Sequence, residues 1–370
     1  MRVTERNCGL EADLVTVVIP NYNGIHFLEA CLDSLLGGTL VPKIIVVDNG
    51  STDGSTDFLR EKYPQVLLYE IPVNTGFCHA VNVGLKLTRT PYCILLNNDV
   101  RVDPRFAEEL VAAIETDDRC FSVQAKMLSM KEPEKIDDTG DFLCSLGWAF
   151  ARGHGRNAKR YARPGRIFSA CAGAAIYRMS AFGEIGLFDE RHYCYLEDVD
   201  IGYRALLYGY KNRYCPSAVV YHAGSATTGS RHNPFKVEQS ACNTRYLLFK
   251  NMPRFQYVLH LPLFRLGEAL KRRFFRRLGM GAAYESGLAR GDWLCCLADL
   301  SGACEDEDTT YRKGSLAEEA FLQEGYDKGL DEVLPLYLGR PFPFTIGSIP
   351  RVLYLEGFLF VNLFRRLVNY

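Results

Sequence analysis

The stretch from Tyr92 to Val100 constrains this chain most: Tyr-Cys-Ile-Leu-Leu reads as a strand, and it ends at once in Asn97, Asn98 and Asp99. A strand buried on both faces is a continuous apolar run, and open α/β sheets bind ligands beyond the carboxyl ends of such strands. Asp99 stands where chemistry is usually done. A single carboxylate there suits Mg²⁺ or Mn²⁺ shared with a diphosphate, since these cations take one or two carboxylates and fill their other positions with phosphate oxygens and water. An Asp at a strand end also serves as a turn former or helix N-cap. The run alone leaves both readings open.

The sequence before and after it alternates between strand and helix patterns. Leu14 to Pro20 reads as a strand closed by Asn21-Tyr22-Asn23-Gly24, and His26 to Leu36 as an amphipathic helix stopped by Gly37 and Gly38. Lys43 to Val47 and Val66 to Ile71 are further strands, and Phe77 to Leu87 is a helix. Pro104, a favoured first-turn residue, opens another helix to Glu115. This pace predicts an α/β fold, a mostly parallel, twisted sheet with helices on both faces.

At 370 residues, 48% of them hydrophobic, the chain has material for more than one domain. Its net charge of -1 gives no reason to expect a nucleic acid partner. The 13 cysteines are scattered, odd in number and never spaced C-x-x-C, which indicates neither a disulfide framework nor a zinc site and points to a reduced, cytoplasmic setting. Residues 1 to 13, an N-terminal extension, lack the apolar core of a signal peptide, and no later run reaches the roughly 18 apolar residues of a spanning helix. A soluble protein, or one lying on a membrane, is expected.

The strand mouths share one character. Pro20-Asn21-Tyr22-Asn23-Gly24, Asp48-Asn49-Gly50-Ser51, Asn74-Thr75-Gly76-Phe77 and Asn97-Asn98-Asp99 are short, polar and rich in amides. Such loops offer backbone N–H groups, amide donors and carboxylate acceptors to a nucleotide, although Asn, Gly and Asp are also ordinary turn formers. No G-x-G-x-x-G follows the first strand and no Walker A lysine is present, so neither of those nucleotide fingerprints applies.

Val-Val-Ile-Pro-Asn-Tyr-Asn-Gly (17 to 24), Val-Val-Asp-Asn-Gly-Ser-Thr-Asp-Gly-Ser (46 to 55), Asn-Thr-Gly-Phe-Cys-His-Ala-Val-Asn-Val-Gly-Leu (74 to 85) and Leu-Leu-Asn-Asn-Asp-Val (95 to 100) occur together and in order. In this the chain resembles family 2 glycosyltransferases of the GT-A fold, in the branch of the bacterial rhamnosyltransferases and galactofuranosyltransferases. The resemblance spans roughly Leu14 to Pro253. It implies a catalytic domain over 14–253, with a nucleotide-sugar-binding half (14–115) and an acceptor half (116–253), followed by a helical region (254–370). It implies donor contacts at Pro20, Tyr22, Asn23, Asp48, Asn49, Asn74, Gly76, Asn82 and Asn98. Asp99 matches the last carboxylate of the family's D-x-D metal element, and Asn97 stands where many members have the first Asp.

Further on, Lys131 to Asp141 reads as a charged loop, and the glycine-rich, basic stretch from Arg152 to Arg166 as a surface loop or a flap over an anionic ligand. Glu197, Asp198 and Asp200 crowd a helix start, where carboxylates are favourable by dipole and capping alone. The resemblance gives Glu197-Asp198 more than that, matching the pair whose Asp is the catalytic base, with Glu197 positioning. It likewise implies His222 as a metal ligand beside Asp99. Phe264 to Leu278 interleaves arginines with apolar residues, and Val352 to Val368 is apolar but interrupted by Glu356, Asn362, Arg365 and Arg366. Both suit a peripheral membrane contact, packing on the catalytic domain or a homo-oligomer contact.

The function implied is inverting transfer from a nucleotide-diphosphate sugar, dTDP- or UDP-linked, to a hydroxyl of a glycan or lipid-linked acceptor, with Mn²⁺ or Mg²⁺ as cofactor. Two other classes compete. A sugar nucleotidyltransferase calls for a glycine-rich, basic loop after the first strand, which Asn21-Tyr22-Asn23-Gly24 is not. A non-catalytic nucleotide-sugar-binding protein predicts loss of the metal or base carboxylate, and both are present.

Overall fold

The computed structural model describes residues 13–224, 232–303 and 349–367. Most of the expected N-terminal extension, and residues 304–348 and 368–370 of the expected helical region, lie outside the described residues.

The chain forms two compact units. The first contains the described residues up to Asp141, Ala151–Phe182, and those of Tyr210–Thr228. Strand β1 (Val15–Asn21) pairs in parallel with β2 (Lys43–Asn49) and β4 (Tyr92–Leu96), and β2 pairs with β3 (Leu67–Ile71). Helices α1 (Ile25–Leu36), α2 (Ser55–Lys62), α3 (Phe77–Leu87) and α4 (Phe106–Ile114) alternate with these strands. In α1 the buried residues are Leu28, Cys31, Leu32 and Leu35, a single face at helical spacing. Every residue of β4 is buried, as its unbroken apolar run requires. Truncating Leu95 there to Ala would cost about 2–5 kcal/mol. Gly84 in α3 has no room for a Cβ against the Val18 side chain, so this helix lies directly on β1.

Beyond β4 the sheet becomes mixed. β11 (Ala174–Arg178) enters antiparallel between β4 and β6 (Cys120–Ser129), and β12 (Lys211–His222) runs parallel to β6. Short β5 (Val100–Val102), β7 (Ile136–Asp138) and β10 (Gly165–Ile167) complete the ten strands of this sheet among the described residues, and β8 (Asp141–Leu143) pairs with β9 (Ala149–Ala151) in a separate two-stranded sheet. The contiguous parallel part is the stretch from β3 to β4, the part built from strand–helix crossovers, with β6 and β12 forming a further parallel pair. Register aligns the mouths: Asn21 faces Asp48, and His222 faces Val100, the residue after Asp99.

The second unit contains Phe142–Phe150, Gly183–Gly209 and the described residues from 232 onward. It is mainly helical: α6 (Glu197–Leu207), α7 (Pro234–Asn251), α8 (Arg254–Arg277), α9 (Gly281–Ala303) and α10 (Ile349–Leu367), with α5 (Met179–Ile185) running in from the first unit. Asn233 caps α7 by accepting from the Lys236 N–H at 2.9 Å, and Pro234 fills the first turn, where no N–H is needed. Val237 and Ala241 of α7 bury against Tyr284 and Leu288 of α9.

Candidate active site

In the first unit the strand mouths are cross-tied by side-chain amides. Asn21 donates to Asp48 Oδ2 at 2.8 Å and accepts from Asn98 Nδ2 at 2.7 Å. Asp48 also accepts the Ser51 N–H at 2.9 Å, and Ser51 Oγ accepts the Asn23 N–H at 2.8 Å. Asn49 reaches the next loop, donating to the Gly76 carbonyl and to Asn74 Oδ1 and accepting from the Thr75 N–H, each at 3.0–3.1 Å. A Cβ at Gly24 would come within 2.5 Å of Asn21 Oδ1 and strike Asn98, so the first loop closes on the fourth mouth only because residue 24 is glycine. The mouths form one rigid polar rim.

At the fourth mouth, His222 Nε2 lies 3.1 Å from Asp99 Oδ1. Its other nitrogen, Nδ1, lies 2.6 Å from Asp137 Oδ2. Asp99 is buried and the carbonyl of the same residue accepts the Ala223 N–H at 3.0 Å. Burial pulls the His222 pKa down, but the bonds to Asp137 and Asp99 outweigh it and carry it up to about 10. Asp137 is held below the usual carboxylate range, its burial more than offset by His222.

In the second unit the turn before α6 is strained. Tyr193, Tyr195 and Leu196 all adopt left-handed backbone (φ 58°, 69° and 64°), a conformation costly for non-glycine residues. Buried Asn243 of α7 offsets it by donating through Nδ2 to the carbonyls of His192, Cys194 and Tyr195 at 2.7–2.9 Å. The turn presents Glu197 and Asp198. Glu197 is buried, and burial followed by the neighbouring Asp198 charge raises its pKa well above the carboxylate range. Asp198 is partly exposed and accepts the Val199 N–H at 2.7 Å. Beneath them, Asp200 and Asp189 are fully buried around Lys250, at 2.7 Å and 2.8 Å, and Asp200 also takes Arg204 and Asn251. Burial opposes their ionisation, yet Lys250 and its neighbours hold Asp189 at about 2 and Asp200 well below its ordinary value.

Residues 16–186 match the sequence family described as Glycosyl transferase family 2. The chain carries a family 2 glycosyltransferase domain. It is 29% identical over 243 residues, 59% of this chain and 78% of the relative, to an N-acetylglucosaminyl-diphospho-decaprenol L-rhamnosyltransferase of Mycobacterium tuberculosis (strain CDC 1551 / Oshkosh). A poly(ribitol-phosphate) beta-glucosyltransferase of Bacillus spizizenii is 38% identical over 93 residues, 23% of this chain and 14% of that protein. Among solved structures, GalNAc-T7, crystallised with UDP, GalNAc and Mn2+, superposes with a TM-score of 0.53 at 17% identity, over 66% of this chain and 49% of that one. The family 2 domain here has the GT-A fold.

The rim of the family 2 domain gathers Pro20, Tyr22, Asn23, Asp48, Asn49, Asn74, Gly76 and Asn98 at the sheet's carboxyl edge, with Tyr22 exposed and Asn98 buried. Asn82 differs: it is buried within α3. Asp99 and His222 are brought together, and Glu197 and Asp198 lie side by side on α6. Asp137, Asn21, Ser51 and Asn243 are the residues that sequence reasoning missed as partners. Asn21 and Ser51 stood inside the polar loops, but Asp137 was one of several acids in the charged stretch from Lys131 to Asp141. Nothing local marks it.

The donor set fits a hard divalent cation. Adjacent ligands of an octahedral ion at about 2.1 Å lie about 3 Å apart, which is the Asp99–His222 separation. A carboxylate behind the imidazole, as Asp137 is, is the usual support of a metal-bound histidine. Asp138, Asp141 and Cys171 also bring one ligand atom each within 4.8 Å of one another, but a thiol is the softer donor and suits Mn²⁺ or Mg²⁺ less well.

Proposed function

We propose that this glycosyltransferase moves a sugar from a nucleotide-diphosphate donor, dTDP- or UDP-linked, to a hydroxyl of a growing glycan or lipid-linked acceptor, with inversion. The observation that carries the reading is the pairing of Asp99 with His222 at the mouth of β4, backed by Asp137. The amide rim from Asn21 to Asn98 binds the nucleotide and fixes the diphosphate. Asp99 and His222 would hold a Mn²⁺ or Mg²⁺ ion there, which when bound would supply charge neutralisation for the leaving diphosphate.

Asp198 acts as general base. The acceptor oxygen attacks the anomeric carbon, its proton passes to Asp198, and the bond from that carbon to the diphosphate oxygen breaks. One displacement of this kind inverts the anomeric centre. Glu197 stays neutral beside it, so no second negative charge competes for the same proton, and environments that drive two carboxyls apart assign their roles. Asn243 holds the strained turn that aims the pair. The relatives' names, one giving an N-acetylglucosaminyl-diphospho-decaprenol and the other a poly(ribitol-phosphate), support a lipid-linked or polymeric acceptor.

The test is sugar release and transfer from a panel of nucleotide sugars with Mn²⁺, Mg²⁺ or chelator, with the product anomer read by NMR. Metal-dependent transfer with inverted configuration is expected. Full turnover in chelator, or a product that keeps the donor's configuration, would overturn the scheme.

A further inference from the structure

We propose that the outward faces of α8 and α10 form a docking surface for an anionic lipid bilayer. Along α8, Phe255, Val258, Leu259, Leu266 and Leu270 are exposed at steps of three, four and seven residues, so they share one face. Leu259 is 72% exposed and Val258 66%. Along α10, Leu353, Phe360, Val361 and Phe364 do the same, with Phe364 66% exposed. Both helices belong to one unit and touch: the His260 and Phe360 rings meet tilted, centroids 5.9 Å apart, and Gln256 and His260 bond Glu356. Two adjacent apolar faces open to water exceed what an isolated surface leucine would explain.

Two of the polar residues that interrupt α10 in sequence, Asn362 and Glu356, are turned toward neighbouring elements. Asn362 is fully buried and donates to the Leu143 carbonyl at 2.9 Å, and Glu356 is engaged by α8. No described helix is long and apolar enough to cross a membrane. Helices with such faces lie in the interface plane instead.

Charge selects the occupant. Arg272, Arg273, Arg276 and Arg277 line one depression at the end of α8. Among the described residues Arg273 and Arg277 have no carboxylate partner. The only carboxylates on the two helices are Glu268, held by Arg245, and Glu356, held by His260. Arg272 and Arg276 already pair with Glu285 of α9, so a second copy meeting this face by two-fold symmetry would bring Arg273 and Arg277 to their own counterparts with no unpaired acid on the two helices to offset them. Anionic headgroups supply the missing charge.

The test is flotation of the full chain with phosphatidylcholine vesicles, with or without phosphatidylglycerol, at low and high salt. It reads binding alone and is independent of the transfer chemistry. The wild-type protein is expected to float with the anionic vesicles and less so as salt rises. Arg273→Glu with Arg277→Glu should weaken partitioning about thirtyfold or more, and Leu259→Glu with Phe364→Glu should abolish it with the melting temperature unchanged. Wild-type protein that stays unbound with every vesicle, or floats equally with neutral ones, overturns the proposal. So does a dimer in sedimentation that the Leu259 and Phe364 pair converts to monomer without any vesicle binding.

Discussion

His222 meets Asp137 across 85 residues of sequence, Nδ1 to Oδ2 at 2.6 Å, and this contact fixes which imidazole nitrogen is left to face Asp99. Removing such a support usually costs a metal site about 10- to 100-fold in affinity or activity. Asp137→Ala is therefore expected to shift the Mn²⁺ concentration for half-maximal transfer upward by that factor while the donor affinity of the rim survives. A metal titration of turnover, alongside Asp99→Ala as the full-loss reference, checks it.

Asp198→Asn keeps size and removes basicity, so turnover should fall by about 10²–10⁴ with little change in donor affinity. Single-turnover transfer at saturating donor measures this directly, and near-normal rates would exclude Asp198 as the base.

Glu197→Gln should cost turnover far less and change stability with a definite sign. Burial and the Asp198 charge raise the folded pKa of Glu197 above its unfolded value. Its contribution to stability is thus full below about pH 4.3, the ordinary glutamate value, and is lost as pH rises toward the raised one. Gln carries no such loss. The variant should gain on the wild type as pH rises through this window, read by urea unfolding at a series of pH values.

Lys250→Met leaves Asp189 and Asp200 buried around an absent cation. Breaking a buried ion pair by removing one partner costs about 3–5 kcal/mol, and that loss is expected near pH 7. Both carboxyls are held below their ordinary values, so the stability they contribute is present above about pH 3.9 and disappears as pH falls through the depressed values. The gap between variant and wild type should narrow in acid, which denaturant melts at neutral and acidic pH would reveal.

Gly24→Ala introduces a methyl into the contact between Asn21 and Asn98. Overpacking of this kind costs about 1–3 kcal/mol, and here it would also spread the rim. A rise in donor Kd with a smaller change in turnover is expected from calorimetry and kinetics together.

The alternation of strands and helices from β1 to α4 was set by the sequence itself, because hydrophobic period is a local property: β4 is apolar throughout and α1 repeats its apolar residues at helical spacing. The polar mouths at Asn21, Asp48 and Asp99 follow from the same pattern, since a parallel strand must end in a turn at the sheet's carboxyl edge. Only tertiary structure decided that β11 enters antiparallel, that Asp137 rather than a neighbouring acid backs His222, and that Asn243 braces the strained turn before Glu197. It also decided that Asn362 and Glu356 turn inward while Phe364 faces out. Each of these joins residues far apart in the chain, and a side chain's direction depends on what packs against it, which neighbouring letters do not carry.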